Sequence, residues 1–448
     1  MPTIASIAKS LANGGKSRAV VEDCLARIED RAGEGSRVYL KVHAEASRAA
    51  ADYYDHLRAR GAAPSPFAGI PVSIKDLFDI AGDVTTAGST ALRDAPPATS
   101  DAPSVARLRA AGFIPIGRSN MTEFAFSGIG INPHYGTPTS PYDRKAARIP
   151  GGSSSGAAVS VSDGMALGGL GTDTGGSCRI PAALCGIVGF KPTAYRVPTQ
   201  GAFPLSPSLD SIGPLAATVA CCAALDAVLA GEPADELPSF PLDALRLAVP
   251  QTMVLESMEP VVAQAFEATL SALRKAGARV TNIPLREFSE LQQINAKGGL
   301  SAAESYAIHR ALISKREKEY DPRVLVRILR GKEQDAADYI DVVNARADFI
   351  RRVAAITAPY DALVMPTTPI TAPRIADLKD DEAYRRANML VLRNPSIANF
   401  LDGCAISLPC HRAGEAPVGL MLFGAHGADR RLLAMSAAIE QAVSPRAG

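Results

Sequence analysis

Two glycine-rich segments of the chain contain the serines whose setting suits nucleophilic chemistry. Residues 151–156 read Gly-Gly-Ser-Ser-Ser-Gly, and residues 171–177 read Gly-Thr-Asp-Thr-Gly-Gly-Ser. Glycines allow backbone dihedrals that other residues avoid, so such loops form either turns or sites. An apolar run precedes the second segment, and Pro181 follows it, which a helix tolerates only in its first turn. Ser177 is therefore predicted to lie between a strand end and a helix start, where the N–H groups of residues 174–177 can converge on an oxyanion.

A lysine beside an apolar run is a candidate base. Lys75 directly follows residues 70–74, which are predicted to form a strand. Because side chains alternate along a strand, Lys75 and Asp76 are expected to point to opposite faces, so their charges need not neutralise each other. A lysine that loses hydration has a lowered pKa and can accept a proton near neutral pH. Taken alone, a lysine after a strand is more often a solvated surface residue.

Short apolar segments alternate with helical segments and predict an α/β fold. Residues 3–60 are predicted to be mainly helical, with a short strand near residues 38–42. The clearest alternation then follows as a strand at 70–74, a helix at 104–111 and a strand at 113–116. This order predicts a mixed, twisted sheet with helices on both faces.

The chain is predicted to form one large domain over residues 1–448. Residues 133–213 are rich in Gly, Ser, Pro and Thr, but apolar runs interrupt them, which indicates a loop-rich active-site region and not low complexity. Residues 255–355 are charged and helical, and are expected to cover the site. The predicted parts are an N-terminal helical part (1–62), a core (63–235), a variable, largely helical insertion (236–390) and a C-terminal return of the core (391–443).

Composition and charge disfavour several classes of function. The 448 residues are 47% hydrophobic, which suffices for a large core. The 47 basic and 46 acidic residues are interspersed, so no basic stripe is available for nucleic acid or for a membrane surface. The seven cysteines are scattered and include no CxxC pair, which argues against a disulfide framework and against a zinc site. No signal peptide or membrane-spanning run is recognised, so a cytoplasmic location is expected.

The three motifs occur in an order that resembles the amidase signature family of serine hydrolases. Lys75, the glycine-serine loop and the segment ending at Ser177 are followed by CRIPAALCGIVGFKPT at residues 178–193. The resemblance covers roughly residues 65–215, with a weaker similarity in residues 399–424. It points to bacterial amidases and to the A-subunit type of amidotransferases.

The resemblance implies a Ser–cis-Ser–Lys triad that works without a metal or an organic cofactor. Ser177 would attack the amide carbonyl, Ser153 would pass on its proton, and Lys75, neutral at rest, would be the final base. The Gly152–Ser153 peptide would be cis. The oxyanion hole would be formed by backbone N–H groups of Thr174, Gly175, Gly176 and Ser177. Met121 would lie where relatives line the acyl pocket, and a generic core position is equally compatible.

Neighbouring residues allow other nucleophiles to be considered. Ser154 is the centre of a G-x-S-x-G string, but residues 144–150 before it are polar and do not form the strand that a nucleophile elbow requires. Ser154 and Ser155 are therefore interpreted as supporting loop hydroxyls. Cys178, next to Arg179, could act as a thiolate, but its side chain is expected to point away from that of Ser177, and no histidine is near in sequence.

Charged residues of the same region have alternative roles. Arg179 could bind a substrate carboxylate, although an ion pair with Asp173 that braces the loop is favoured. None of the six histidines lies in a glycine frame or beside an apolar strand end in the way Lys75 does, so a Ser–His–Asp scheme is disfavoured. His134 is retained as a candidate substrate contact.

The predicted reaction is hydrolysis of a small linear carboxylic amide to a carboxylate and ammonia or an amine. Aliphatic, aryl, indole-type and dicarboxylic half-amides all remain open as substrates. One alternative is a glutaminase of the amidotransferase A-subunit type that delivers ammonia to a partner subunit. A second is a non-catalytic binding protein with the same fold. A homodimer is left open.

Overall fold

A single mixed sheet of eleven strands runs through the computed structural model, which describes residues 1–443. Across the sheet the strand order is β1-β3-β2-β4-β6-β5-β10-β11-β9-β7-β8. The strands are β1 (Tyr39–Val42), β2 (Pro71–Lys75), β3 (Ile114–Ser119), β4 (Gly168–Asp173), β5 (Val188–Lys191), β6 (Ser211–Ala216), β7 (Arg246–Pro250), β8 (Arg279–Ile283), β9 (Ala362–Pro366), β10 (Cys404–Pro409) and β11 (Gly419–Gly424). The predicted α/β fold with a mixed sheet is confirmed.

Helices flank this sheet, and apolar side chains between the two layers form the core. The α-helices are α1 (Ile4–Ala12), α2 (Ser17–Glu29), α3 (Gly35–Val38), α4 (Ala44–Ala59), α5 (Pro103–Ala110), α6 (Ser155–Ser162), α7 (Arg179–Cys185), α8 (Val219–Ala230), α9 (Pro260–Lys275), α10 (Leu291–Ile294), α11 (Gly299–Arg316), α12 (Pro322–Leu329), α13 (Ala336–Thr357), α14 (Asp381–Phe400) and α15 (Asp429–Val443). None of these helices is long and apolar enough to cross a membrane.

The centre of the sheet brings Lys75 close to the segment that ends at Ser177. Strand β2 lies between β3 and β4 and is parallel to both, with Ile74 opposite Leu170. All five residues of β2 are buried, as expected for a strand covered on both faces. Because parallel strands end at the same edge of a sheet, Lys75 at the end of β2 lies next to the end of β4, from which the segment to Ser177 continues.

Residues 236–390, expected to be a largely helical insertion, are rich in helix and also extend the sheet. They contain helices α9 to α13, but they also supply β7, β8 and β9, which continue the same sheet at one end. Strands β7 and β8 are parallel, so the chain must cross over between them, and α9 makes that crossover. Helix α14 runs through the boundary predicted between residues 390 and 391, so that boundary does not coincide with the end of an element.

Candidate active site

Lys75 is fully buried at the end of β2, and its amine faces hydroxyl groups. Its Nζ donates to Oγ of Ser153 at 2.8 Å and to Oγ1 of Thr172 at 2.8 Å. Burial lowers the pKa of Lys75 to about 8, because the charged ammonium loses its hydration, although nearby acidic groups act in the opposite direction. Asp76 points elsewhere and pairs with Arg118 at 2.7 Å, as expected from strand alternation.

The loop that carries Ser153 is held by its own backbone. The Gly152–Ser153 peptide is cis. The N–H of Gly152 donates to the carbonyl of Gly128 at 2.9 Å, and the carbonyl of Ser153 accepts from the N–H of Thr122 at 3.1 Å. These bonds fix the direction in which the buried Ser153 hydroxyl points, which is toward Lys75.

Close packing joins this loop to the segment that carries Ser177. The N–H of Ser154 donates to the carbonyl of Ser177 at 3.3 Å. A side chain at Gly171 would prevent this approach, because its Cβ would lie 2.8 Å from Oγ of Ser154. Gly171 in β4 therefore lets the loop that contains Ser153 and Ser154 pack directly against the strand that leads to Ser177.

Ser177 lies between the end of β4 and the start of α7, as predicted, and it lines a cavity of about 410 Å³. The residue before it, Gly176, has a φ of 125°, which side-chain-bearing residues rarely adopt. A Cβ at Gly176 would also lie 2.5 Å from Cβ of Pro395. Glycine is thus needed here for both the backbone conformation and the contact with α14.

Asp173 and Arg179 form a fully buried ion pair beneath the nucleophile segment. Nη2 of Arg179 donates to Oδ1 of Asp173 at 2.8 Å, and its Nε donates to Oδ2 at 3.1 Å. Burial alone would raise the pKa of Asp173, but the Arg179 guanidinium and the Asn399 amide outweigh it and hold that pKa well below its usual range. The ion pair favoured on sequence grounds is therefore the arrangement observed, and Arg179 is already occupied.

The Asp173 carboxylate also accepts two backbone N–H groups of the segment. Gly176 donates to Oδ1 at 2.9 Å and Cys178 donates to Oδ2 at 3.0 Å. This corrects one expectation, because the N–H of Gly176 is committed to Asp173 and is not free for an oxyanion. Within residues 1–443, the N–H groups of Thr174, Gly175 and Ser177 have no such partner.

Replacing Asp173 with asparagine is expected to lower the free energy of unfolding by about 3–5 kcal/mol, because a buried guanidinium is then left without its counter-charge. The midpoint of guanidinium chloride unfolding measures this. Asp377→Asn is the control, since its pair with Arg374 is exposed on both sides and the midpoint should not move. Equal midpoints for Asp173→Asn and the wild type would contradict the bracing role.

The other predicted residues fall outside the cavity that Ser177 lines. Met121 is fully buried in the core and does not line that cavity. The ring of His134 lies 2.8 Å from Oε1 of Glu123 and likewise does not line it. Cys178 is fully buried, and burial raises the pKa of its thiol well above the usual range, so it is poorly suited to form a thiolate. Ser155 donates weakly to the Asn120 carbonyl at 3.4 Å.

Three residues of the site were not singled out from the sequence. Thr172 is the second acceptor for Lys75, and its place on β4, five residues before Ser177, is the only signal that could have indicated it. Asn399 lies on α14, and its amide donates to both the backbone carbonyl and the carboxylate of Asp173, each at 3.0 Å. Asp210 accepts from the Thr174 hydroxyl. The last two contacts join distant parts of the chain, so no local pattern reveals them.

Comparison with known proteins agrees with this geometry. A family model described as Amidase matches residues 19–433. The chain is 37% identical to 2-amino-5-chloromuconic acid deaminase of Comamonas testosteroni, covering 94% of this chain and 92% of that protein. It is 33% identical to the A-type subunit of glutamyl-tRNA(Gln) amidotransferase from Acidobacterium capsulatum, covering 95% of each.

Solved structures show the same similarity over nearly the whole chain. A crystal structure described as an amidase superposes with a TM-score of 0.89 at 31% identity, covering 99% of this chain and 100% of that one. The match extends through the strands of residues 236–390 as well as through the lysine and serine segments. On the family match, the close relatives and the shared fold, the chain belongs to the amidase signature family.

Proposed function

We propose that this protein hydrolyses a linear carboxylic amide through an acyl-enzyme formed on Ser177, with Ser153 and Lys75 as the proton relay. The observation that carries this proposal is the 2.8 Å hydrogen bond from the buried Lys75 amine to the Ser153 hydroxyl, next to the segment that presents Ser177 to a cavity. Proteins of this family are hydrolases that act on carbon–nitrogen bonds of amides. The family and the geometry therefore point to the same chemistry.

In the first half of the reaction, the Ser177 oxygen bonds to the amide carbonyl carbon. Its proton passes to Ser153, and the proton of Ser153 passes to neutral Lys75. The tetrahedral intermediate then loses its nitrogen, which takes a proton back through the same relay and leaves as ammonia or an amine. The product of this half is an ester between Ser177 and the acyl group.

In the second half, water attacks the ester while the relay accepts its proton. The carbon–oxygen bond to Ser177 breaks, the serine regains a proton, and the carboxylic acid leaves. Both tetrahedral intermediates carry negative charge on the former carbonyl oxygen. The N–H groups of Thr174, Gly175 and Ser177 are the proposed donors to this oxygen, and Asp173 holds the segment that presents them.

Ammonia or amine release from a panel of amides tests the proposed function. The panel should include aliphatic, aryl and indole-type amides and half-amides of dicarboxylic acids, each with wild-type protein and with Ser177→Ala. Release that depends on Ser177 supports the proposal. Failure of all these amides in the wild type, or equal release by the variant, would overturn it.

The pH dependence of kcat/KM is expected to report on Lys75. Burial lowers its pKa to about 8, and the relay needs the neutral amine. Below about pH 8, kcat/KM should therefore fall tenfold for each unit of pH, and above it should level off. Cys178, Asp173 and Asp210 are the charged or ionisable groups that act on Lys75. Burial raises the pKa of Asp210 to about 6, so its ionisation is separate from this step. A profile that is flat from pH 6 to pH 9 would contradict the assignment.

A second candidate function is that of an amidotransferase A-type subunit. The relative from Acidobacterium capsulatum, which by name belongs to such an enzyme, matches 95% of this chain. In that case glutamine would be the amide and a partner subunit would receive the ammonia. Glutaminase activity that appears only on adding a co-purifying subunit would favour it, whereas full amidase activity of the isolated chain favours the first proposal.

The expected small-molecule substrate and cytoplasmic location belong to the same proposal. They are supported by the interspersed charge and by the scattered cysteines of the sequence. Sedimentation analysis of the purified protein tests the proposed homodimer.

A further inference from the structure

The cavity that Ser177 lines is positively charged. Among residues 1–443, two arginines, Arg327 and Arg393, line it, and no aspartate or glutamate does. Apolar side chains such as Leu205 and Ile397 form much of the remaining wall. An anionic ligand of small size is therefore matched to this cavity by both charge and shape.

Arg327 has no ion-pair partner within residues 1–443, although it is partly buried on α12. One of its amino groups donates to the carbonyl of Phe126 at 2.6 Å, and its guanidinium lies 5.5 Å from the ring centre of Tyr384. These contacts hold the side chain in place without neutralising its charge. Burial lowers the pKa of Arg327, which reflects the cost of keeping this cation unpaired.

Arg323, on the same helix, differs from Arg327 because it forms an ion pair. It lies one turn earlier on α12 and stacks on the same Tyr384 ring at 4.4 Å. Its Nε donates to Asp381 at 2.8 Å, and it also donates to the carbonyl of Leu378. Arg323 does not line the cavity of Ser177. Arg393, the other arginine of the cavity, also has no ion pair within residues 1–443, but its Nε and Nη2 donate to Oδ1 of Asn394 and to the carbonyl of Val254. Of the two, Arg327 is the one whose guanidinium makes a single hydrogen bond to the described residues.

Asn388 provides a second donor beside Arg327 in the same wall. Its Oδ1 accepts from the N–H of Gly128 at 2.9 Å and from the hydroxyl of Ser127 at 2.8 Å. Because the backbone N–H of Gly128 can only donate, the amide oxygen must face the loop, and the Nδ2 group must point away from it. Asn388 lines the cavity, so this orientation leaves its N–H donors available on the cavity side.

We propose that the substrate carries a carboxylate away from the scissile amide and that Arg327, assisted by Asn388, binds it. The monoamide of a short dicarboxylic acid is the simplest such molecule. A guanidinium matches a carboxylate with two parallel hydrogen bonds, so the pair fixes the direction of the acyl chain as well as its charge. This inference rests on the proposed function, since it names the substrate class of the same site. Arg327 would be a specificity-determining residue with no part in the bond-breaking steps.

Matched substrates that differ only in one charge provide the test. The monoamides succinamate, glutaramate and adipamate are compared with succinamide, glutaramide and adipamide in wild-type protein, Arg327→Gln and Arg323→Gln. The best monoamide is expected to exceed its diamide in kcat/KM by about 100-fold or more, because a neutral amide leaves the guanidinium unpaired. Arg327→Gln should lose that advantage through a higher KM for the monoamide, so that the monoamide-to-diamide ratio of kcat/KM falls by about 100-fold, whereas Arg323→Gln, which lies outside the cavity, should keep the wild-type ratio.

Each outcome decides between the inference and the proposed function. Equal rates on monoamide and diamide, or a monoamide preference that survives in Arg327→Gln, would overturn the carboxylate site while leaving amide hydrolysis intact. If none of these six compounds is hydrolysed, the wider amide panel decides the proposed function, and calorimetric titration with glutarate still tests the site. Glutarate binding that is lost in Arg327→Gln and kept in Arg323→Gln supports it, and absence of binding to the wild type overturns it. Thermal unfolding of both variants verifies that they fold.

Discussion

Ser177→Ala is expected to lower kcat by about 10⁴-fold or more on every amide that the protein hydrolyses. The reason is that the acyl group has no oxygen to which it can be transferred, so only the oxyanion donors and substrate binding still contribute. Substrate affinity should change little, since the side chain is small and the cavity keeps its shape. Steady-state kinetics combined with equilibrium binding of substrate to the variant measures the two effects separately.

Ser155→Ala is the matched control for this substitution. Its hydroxyl is buried in the neighbouring glycine-serine loop and makes only a weak hydrogen bond, to the Asn120 carbonyl at 3.4 Å. The kcat of Ser155→Ala should remain within about tenfold of the wild-type value, because no step of the mechanism uses the Ser155 hydroxyl. Activity that persists in Ser177→Ala and disappears in Ser154→Ala would instead identify Ser154 as the nucleophile, as in the nucleophile-elbow alternative.

Lys75→Met is expected to lower kcat by about 10³-fold at pH 7, and Lys75→Arg is expected to lower it as much. Removal of a general base commonly costs 10²–10⁴-fold. Arginine keeps a positive charge and hydrogen-bond donors near Ser153 and Thr172, but it does not lose its proton in proteins. The arginine variant therefore distinguishes two roles of Lys75, that of a proton acceptor and that of a hydrogen-bond donor with a purely structural function. The kcat of each variant, measured from pH 6 to pH 10, shows which role applies.

Lys191→Met controls for the loss of any buried lysine. Lys191 is also fully buried, and burial lowers its pKa to about 8, but its amine donates to the carbonyls of Pro192 and Gly403. Its removal should lower the unfolding temperature and leave the shape of the pH profile unchanged. Wild-type activity in Lys75→Arg, or a pH profile altered in Lys191→Met but not in Lys75→Met, would remove Lys75 from the relay.

The part of the fold that sequence predicts well is the part with strong local signals. The buried apolar run of β2 predicted a strand and placed Lys75 at its end, and the structure agrees. Strand β8 was not predicted, because only its last residue is fully buried and its other side chains carry no apolar alternation. Strand β7 is five residues long, and the helical pattern of the sixteen-residue α9 that follows it is the stronger local signal in this part of the chain.

The site shows the same division between local and distant information. Asp173 and Arg179 are six residues apart, at the end of β4 and the start of α7, so their pairing could be anticipated. The loss of Gly176 as an oxyanion donor could not, because it depends on a carboxylate that Asn399 orients from more than 200 residues away. Arg327 likewise has no recognisable motif, and only the assembled cavity reveals it.

Mass mapping of the acyl-enzyme tests the central claim most directly. A 4-nitrophenyl ester of the acid whose amide is hydrolysed best is mixed with the protein at pH 8, because nitrophenolate leaves readily and acylation then outpaces deacylation. The reaction is quenched in acid during the nitrophenol burst, and the peptides are analysed. One acyl mass is expected on the peptide that contains Ser177, and none in Ser177→Ala. A burst with the acyl group on another residue, such as Ser154 or Cys178, would contradict it.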